Sequence, residues 1–302
     1  MANGIRASTA KTYSSAQSQF QSFCTSYGLQ ALPASNDTVL WFVAYLHKNG
    51  LAASSMSVYI SAIRALHVMN GYPEPGFRTP QLKLALKAAS ESGTTPSRKA
   101  PLTFKLLKRL CSLFSQGRES VWPALFTLGF FGSMRGSEYT SMGRNLVLVN
   151  QVKLCDTKIG PALAYTVGRS KTSQAGFTVR VGCSDTSVCS PCLLIKYLQY
   201  REASGSLSGQ HCLFVDELGR PVSKHMLDRK IKWAVSQLGL DPHLYSSHSL
   251  RSGAATSASE AGFSEWEIRQ LGRWASSAYL TYVRQSHLRQ WQYAARLAQS
   301  TR

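Results

Sequence analysis

Residues 246–256 read SSHSLRSGAAT and residues 271–284 read LGRWASSAYLTYVR. In the first stretch His248 and Arg251 stand three apart, and Ser246 or Ser247 is placed to cap the helix that follows. Helical positions i and i+3 share a face. An imidazole and a guanidinium can therefore converge on one anion near a helix N-terminus, where free N–H groups and the dipole favour negative charge. The second stretch sets Arg273, Trp274, Tyr279 and Tyr282 close together. Taken alone, tyrosines in such a segment are packing residues with a wet hydroxyl. Both stretches belong to a region of helical patterning that begins near residue 190 and dominates to the end.

Upstream, VWPALFTLGFFGSM (121–134) predicts a strongly apolar helix, and FGSMRGSEY (131–139) follows it with Arg135 and Glu138 at a turn flanked by glycines. Between 146 and 182, LVLVNQVKLC, ALAYTVG and GFTVRVG alternate and are rich in β-branched residues, which predicts a small antiparallel sheet. Lys171, in VGRSKTSQAGFTV, falls between two of these strands at a hairpin turn. Taken singly, Arg135 is a surface arginine at a helix end and Lys171 a solvated edge charge.

The first ninety residues are helical throughout. Tyr13, Ala16, Phe20, Phe23, Cys24 and Tyr27 keep the three-and-four spacing of one helical face. Ser35, Asn36 and Asp37 offer cap chemistry to TVLWFVAYLHKNG, which stops at Asn49-Gly50. Ser54 and Ser55 are expected to open a third helix, and PQLKLALKAASES reads as a fourth. The expected architecture is mostly α: a four-helix bundle over 1–92, a basic linker over 93–103 (GTTPSRKAPLT), and an α+β domain over 104–302 that is mostly helix with a small antiparallel sheet. Thr103 is expected to cap a helix running to about Gly117.

At 302 residues with 44% hydrophobic residues, the chain can build two cores of ordinary size. Lys and Arg number 34 against 15 Asp and Glu, a formal net charge of +19. Residues 1–95 hold 7 basic and 3 acidic residues, so the remainder carries +15 of the excess. Such a balance favours a polyanionic partner. No run of 18 apolar residues occurs and the first twenty lack a secretory core, so a soluble intracellular protein is expected, nuclear if the source is eukaryotic. Seven cysteines are an odd number in a chain read as lacking an export signal, so no disulfide framework is expected. Cys183, Cys189 and Cys192 cluster, the last two as C-x-x-C, with His211 and Cys212 further on. A single C-x-x-C without a matched pair favours thiols in a loop and at a helix start over a zinc site.

The order of the pieces carries more than any one of them. Arg135, Lys171 at a hairpin, His-x-x-Arg at 248 and 251, then Leu-Gly-Arg-Trp eight residues before Tyr282, resembles the tyrosine recombinase (phage integrase) family. The resemblance spans about residues 97–290, and the helical bundle and basic linker look like that family's core-binding domain and its connection. The form G-R-W-x-S-x-A-x-x-x-Y is most similar to recombinases of eukaryotic mobile elements of the DIRS or Crypton kind.

The resemblance implies site-specific DNA recombination, with integration or excision of a mobile element as the setting. Tyr282 would attack the scissile phosphate and hold the DNA 3′ end as a phosphotyrosine. Arg135 and Arg251 would grip the non-bridging oxygens with planar guanidinium forks. Lys171 would protonate the departing 5′ oxygen, His248 would exchange a proton with the tyrosine, and Glu138 would hold the basic cluster. No metal or nucleotide cofactor is required. Most relatives place a His or Trp nine residues before the tyrosine, a register that here holds Arg273. Trp274, eight before, is preferred for that job because an indole N–H can donate one bond while the ring shields the site, with Arg273 supporting. Tyr279 is the competing nucleophile. Leu288, Trp291, Ala294, Ala295 and Leu297 could form a last amphipathic helix, packed on its own domain or docked on a neighbour in a homotetramer assembled on double-stranded DNA. Lys11, Arg64, Lys83, Lys87, Arg98 and Lys99 are expected phosphate contacts, although a solvated helix face explains each as well. A catalytically silent DNA-binding descendant, a regulator, or a relaxing enzyme of the type IB topoisomerase kind are the rival readings.

Overall fold

The computed structural model describes residues 7–73, 79–92, 98–141, 157–159, 162–168, 176–205 and 212–283. The chain divides into two compact units, Met1–Pro96 and Ser97–Arg302. No helix among the described residues is long and apolar enough to cross a membrane.

The first unit holds α1 (Ala7–Ser26), α2 (Asn36–Lys48), α3 (Ala53–Met69) and α4 (Pro80–Ser92). Ser35 caps α2 by accepting the Thr38 N–H at 3.1 Å. The apolar stripes meet in one core around Phe20, Phe42, Leu46, Met56 and Ile63, all essentially without solvent exposure. Burying each such side chain contributes about 2 kcal/mol. His67 is buried beside this core: its Nε2 accepts the Ala34 N–H at 2.8 Å, so its Nδ1 donates to the Ile63 carbonyl at 2.9 Å. Ser54 and Ser55 stand in the first turn of α3, where the third helix is expected to open. The N-cap is Ala52, whose carbonyl accepts from both Ser55 and Met56, which lets fully buried Met56 face inward.

The second unit begins with residues 98–103, which the sequence assigns to a linker. They are laid against this unit: Ala100 N donates to Leu244 O at 2.7 Å and Leu102 N to Ser249 O at 2.8 Å. Buried Leu102 supplies the apolar anchor. Then come α5 (Phe104–Cys111), a 3-10 turn (Gly117–Ser120), α6 (Val121–Phe131) and α7 (Gly136–Tyr139). Helix α5 ends well short of Gly117. Both the amide and the hydroxyl of Ser115 donate to the Glu119 carboxylate, and that local bonding competes with helix continuation. Thr103 stands at the N-cap without a side-chain bond, and Phe104 N donates instead to Ser257 Oγ.

The sheet is antiparallel in the order β1 (Thr157–Ile159), β2 (Ala162–Val167), β3 (Phe177–Gly182). Leu163, Tyr165 and Val167 alternate inward on β2, as do Val179 and Val181 on β3. The expected strand LVLVNQVKLC lies outside the described residues. Helices α8 (Ser190–Ala203), α9 (Lys224–Gln237), α10 (Ser247–Glu260) and α11 (Glu265–Gly272) complete the unit, with 3-10 turns at Pro242–Leu244 and Ser277–Thr281. Every residue of α6 from Val121 to Phe130 is buried, so α6 is the central helix. Helix α10 packs on it, and Gly253 lets the Leu102 backbone lie against α10 where any Cβ would overlap it.

Candidate active site

The site forms where α6 ends. The last carbonyls of a helix have no partner within it and carry the negative end of its dipole. At α6 the chain turns through Ser133, whose φ of 43° is left-handed, and Arg135 becomes the N-cap of α7. Glu138, buried, accepts the Arg135 backbone N–H at 2.9 Å on Oε2 and the Arg135 guanidinium at 2.8 Å on Oε1. Glu138 therefore fixes both the backbone and the side chain of Arg135. Behind it, Tyr165 on β2 donates to the Glu138 carbonyl.

Arg251 enters from α10. Ser246 is that helix's N-cap, with Ser249 in a reciprocal capping box, and Asp228 on α9 accepts the Ser247 N–H at 2.6 Å. Arg251 has no solvent exposure. Its guanidinium donates to Ser133 O and, at 2.5 Å, to Gly272 O. The acceptors are thus carbonyls at the C-terminal ends of α6 and α11.

The third arm is the segment after α11. Arg273 adopts a left-handed conformation, φ 55°, as the C-cap. Its guanidinium donates to Gly132 O at 3.0 Å, Ser133 O at 3.3 Å and Glu138 Oε2 at 3.4 Å, and lies 4.5 Å over the Phe177 ring. Trp274 is buried with its ring 4.4 Å from the Arg251 guanidinium carbon. Gly272 has to be glycine, because a Cβ there would overlap the Trp274 ring. Tyr282 follows the Ser277–Thr281 turn, and Thr256 of α10 donates to its carbonyl at 3.1 Å. The half-buried Tyr282 ring lies 5.1 Å from Trp274, 5.1 Å from His248 and 5.8 Å from the Arg251 guanidinium.

Three guanidinium groups, Arg135, Arg251 and Arg273, thus surround one carboxylate, a formal excess of two positive charges. The two helix C-termini supply about half a negative charge each, leaving room for one more anion. The crowding registers in the titration. Burial first, then Arg135 and Arg273, brings Arg251 down to about 10. Burial, and then Arg135, lowers Arg273 despite Glu138. His248 stays partly open to solvent, but burial, then Arg251, Lys224 and Arg135, holds its pKa below the ordinary 6.5. Among the described residues of the site, Trp274 Nε1, Arg251 Nε, Arg273 Nε and the hydroxyls of Ser133 and Ser247 are buried without a partner. A monoanion with several oxygens is the ligand this set can satisfy, which fits a phosphodiester.

The structure brings Arg135, Glu138, His248, Arg251, Arg273, Trp274 and Tyr282 together; Lys171 lies outside the described residues, as does the segment from 284 to 302. Tyr279 is turned away. It is buried in one small cluster with Ala255, Ala258, Ile268 and Trp274, and burial, then a hydrogen bond with the Glu265 carboxylate, raise its pKa. Lys11, Arg64, Lys83 and Lys87 lie exposed on the first unit, Lys87 3.7 Å from Glu91. Arg98 and Lys99 are exposed on the second, Lys99 donating to the His243 carbonyl. Sequence reasoning missed Lys224 and Asp228, which pair at 2.7 Å beside the α10 N-terminus. Their i, i+4 spacing reads as an ordinary helix-face pair. It also missed Thr256, whose position five after Arg251 carries no motif signal.

Residues 1–69 match the phage integrase N-terminal SAM-like domain family. The chain is similar to solved structures of XerH site-specific recombinase in a post-cleavage complex with palindromic difH substrate (TM-score 0.62, 13% identity, covering 92% of this chain and 75% of that one). It is also similar to the Tn1549 transposon integrase in complex with transposon right end DNA (TM-score 0.61, 13% identity, covering 98% and 96%). The chain shares the fold of these two proteins. An integrase/recombinase xerD homolog of Selenomonas ruminantium is 27% identical over 292 residues, covering 93% of this chain and 82% of the relative.

Proposed function

We propose that this protein is a site-specific DNA recombinase that cleaves and rejoins strands through Tyr282. The observation that carries the reading is the Tyr282 ring packed against His248 and Trp274 beside a fully buried Arg251 with surplus positive charge. Tyr282 Oη attacks the phosphorus of a scissile phosphodiester, forming a phosphotyrosine at the DNA 3′ end as the P–O5′ bond breaks. His248 accepts the phenol proton, a role suited to an imidazole whose pKa is lowered by its neighbours. Arg135 and Arg251 hold the non-bridging oxygens, and Trp274 Nε1 donates to one of them. Lys171 gives the proton that the 5′ oxygen takes as it leaves. Attack by a 5′ hydroxyl on the phosphotyrosine reverses the step and rejoins DNA with no metal and no nucleotide, since the ester keeps the bond energy.

Glu138 and Arg273 are positioning residues in this scheme: they aim Arg135 and buttress the carbonyls that hold Arg251. DNA affinity comes from phosphate contacts by basic residues, among them Lys11, Arg64, Lys83, Lys87, Arg98 and Lys99, and falls steeply with salt. The working assembly is a homotetramer on DNA, and the biological setting is integration or excision of a mobile element. The G-R-W-x-S-x-A-x-x-x-Y form supports a eukaryotic mobile-element relative.

The test is covalent trapping. Purified protein is incubated with nicked or phosphorothiolate-bearing DNA from the flanks of its own gene and resolved on denaturing gels. A protease-sensitive adduct is expected from the wild type and from Tyr279→Phe, and none from Tyr282→Phe. An adduct that survives Tyr282→Phe overturns the nucleophile. No adduct on DNA that the protein binds makes it a silent binder, and relaxation of supercoiled plasmid without strand exchange makes it a relaxing enzyme.

A further inference from the structure

Away from the site, β3 ends at Gly182 and the chain turns through residues 183–189 into α8. Three thiols meet in this turn. The sulfurs of Cys183, Cys189 and Cys192 all lie within 4.8 Å of one another, with Cys189 buried and the other two exposed. Cys189 is the N-cap of α8 and Cys192 lies in its first turn, after Pro191. The Ser184 N–H donates to Cys189 Sγ at 3.4 Å, and the turn is closed by Cys189 N donating to Thr186 O at 3.1 Å.

From this geometry we propose that Cys183, Cys189 and Cys192 bind one zinc ion as thiolates, with water in the fourth position. A tetrahedral site with Zn–S bonds of about 2.3 Å needs sulfurs about 3.8 Å apart. The three sulfurs meet that within a rotamer adjustment of about 1 Å. The donor set is all sulfur, which selects zinc or another thiophilic cation over magnesium or calcium. The helix dipole at the α8 N-terminus and the Ser184 N–H both favour negative sulfur. A disulfide would use two of the thiols and strand the third, whereas one cation uses all three. The exposed edge formed by Cys183 and Cys192 gives the metal a route in and leaves a face for water. Cys212, further along the chain, does not join the set; it is buried, and its carbonyl accepts from Arg201.

The physical role of the ion is to clip the end of β3 to the start of α8. Strand β3 also carries Phe177, the ring under Arg273, at its other end. The clip therefore steadies the strand on which one wall of the arginine cluster rests.

The test uses full-length protein purified under reducing conditions without chelator. Its metal content is measured by plasma mass spectrometry, and the protein is then loaded with cobalt(II) in place of zinc. The expected result is about one zinc per chain, together with the intense visible and sulfur charge-transfer bands of tetrahedral thiolate-bound cobalt. Both signals should vanish in Cys183→Ser/Cys192→Ser and persist in Cys111→Ser. Loss of zinc should lower the melting temperature of the wild type but leave the double variant unmoved. Substoichiometric zinc without the cobalt spectrum overturns the proposal, as does metal that survives the double substitution. The wild-type cobalt spectrum decides the matter even if the double variant fails to fold. A Cys189–Cys192 disulfide found by mass spectrometry in protein kept reduced would also overturn it.

Discussion

Two buried arginines in the second unit sit in very different surroundings. Arg201 on α8 is 3% exposed; its Nη1 donates to the carbonyls of Cys212 at 2.8 Å and Leu213 at 3.0 Å, and its guanidinium lies over Tyr197. Those partners are neutral, and they tie the segment after residue 211 to α8. Arg251 on α10 is wholly buried and also bonds two carbonyls, but two further guanidiniums crowd it and an aromatic wall of Trp274 and Tyr282 closes over it. Burial of a charge is therefore no mark of function by itself. A buried cation held among like charges, where neutral carbonyls could have satisfied it alone, is the arrangement that calls for an external anion.

Replacing each arginine by methionine should separate the two regions most sharply. Arg251→Met is expected to slow covalent adduct formation by about 10³-fold, the scale for losing a preorganised donor to a transition-state oxyanion. Its stability should change little, because relief of like-charge crowding offsets the lost carbonyl bonds. Arg201→Met is expected to leave the adduct rate of folded protein unchanged and to cost about 2–3 kcal/mol of stability, as two charge-assisted bonds disappear. Single-turnover trapping and urea midpoints, run on the same preparations, measure both. Equal losses of stability in the two variants would erase the distinction.

The two regions also differ in how much of them the sequence discloses. The bundle of the first unit was legible because its signal is local: Phe20, Phe42 and Ile63 fall on stripes of helical period, and Ser35 is a cap in the expected place. His248, Arg251 and Tyr282 were legible as an ordered set of residue types. What holds them was not. Arg251 is fixed by the carbonyls of Ser133 and Gly272, and a backbone carbonyl leaves no trace in a side-chain pattern. Glu138 and Arg273 meet across 135 residues, a pairing set only by the packing of α6, α7 and α11. Thr103 is the N-cap of α5 as the sequence indicates, but the bond from Phe104 N to Ser257 Oγ is tertiary and leaves no local signal. Residues 98–103 looked like linker because of Pro101 and two charges, while the single buried Leu102 decided their place.

A smaller effect tests whether the aromatic wall matters as geometry. In Gly272→Ala the new methyl group would overlap the Trp274 ring, so the indole must swing off Arg251 and Tyr282. No group named in the chemistry is deleted, but Trp274 is displaced. Displacement by about 1 Å is enough to cost about 10²-fold in rate. The fall should appear in the trapping rate at saturating DNA rather than in binding, which fluorescence anisotropy of labelled duplex can follow. A rate unchanged by Gly272→Ala would show that the wall is packing alone.

The smallest expected effect concerns pH and the free protein. His248 has a folded pKa below its ordinary 6.5, caused first by burial and then by Arg251, Lys224 and Arg135. At pH values between the folded pKa and 6.5 the unfolded chain binds the proton that the folded protein refuses, so stability rises with pH through that window. Above 6.5 both states hold a neutral ring and the slope vanishes. As pH falls below 6.5 the wild type is accordingly expected to lose stability, until the folded state also takes up the proton. His248→Gln keeps a polar side chain at the α10 N-terminus without titrating, and should remove this increment from the slope. Urea midpoints from pH 7.5 down to pH 5 measure it, with His67→Gln in the first unit as a poor control because that ring bonds Ala34 and Ile63 and its loss would disturb folding. If His248→Gln keeps the wild-type slope, the arginine cluster does not press on His248, and the electrostatic contrast with the Arg201 region is weaker than the geometry implies.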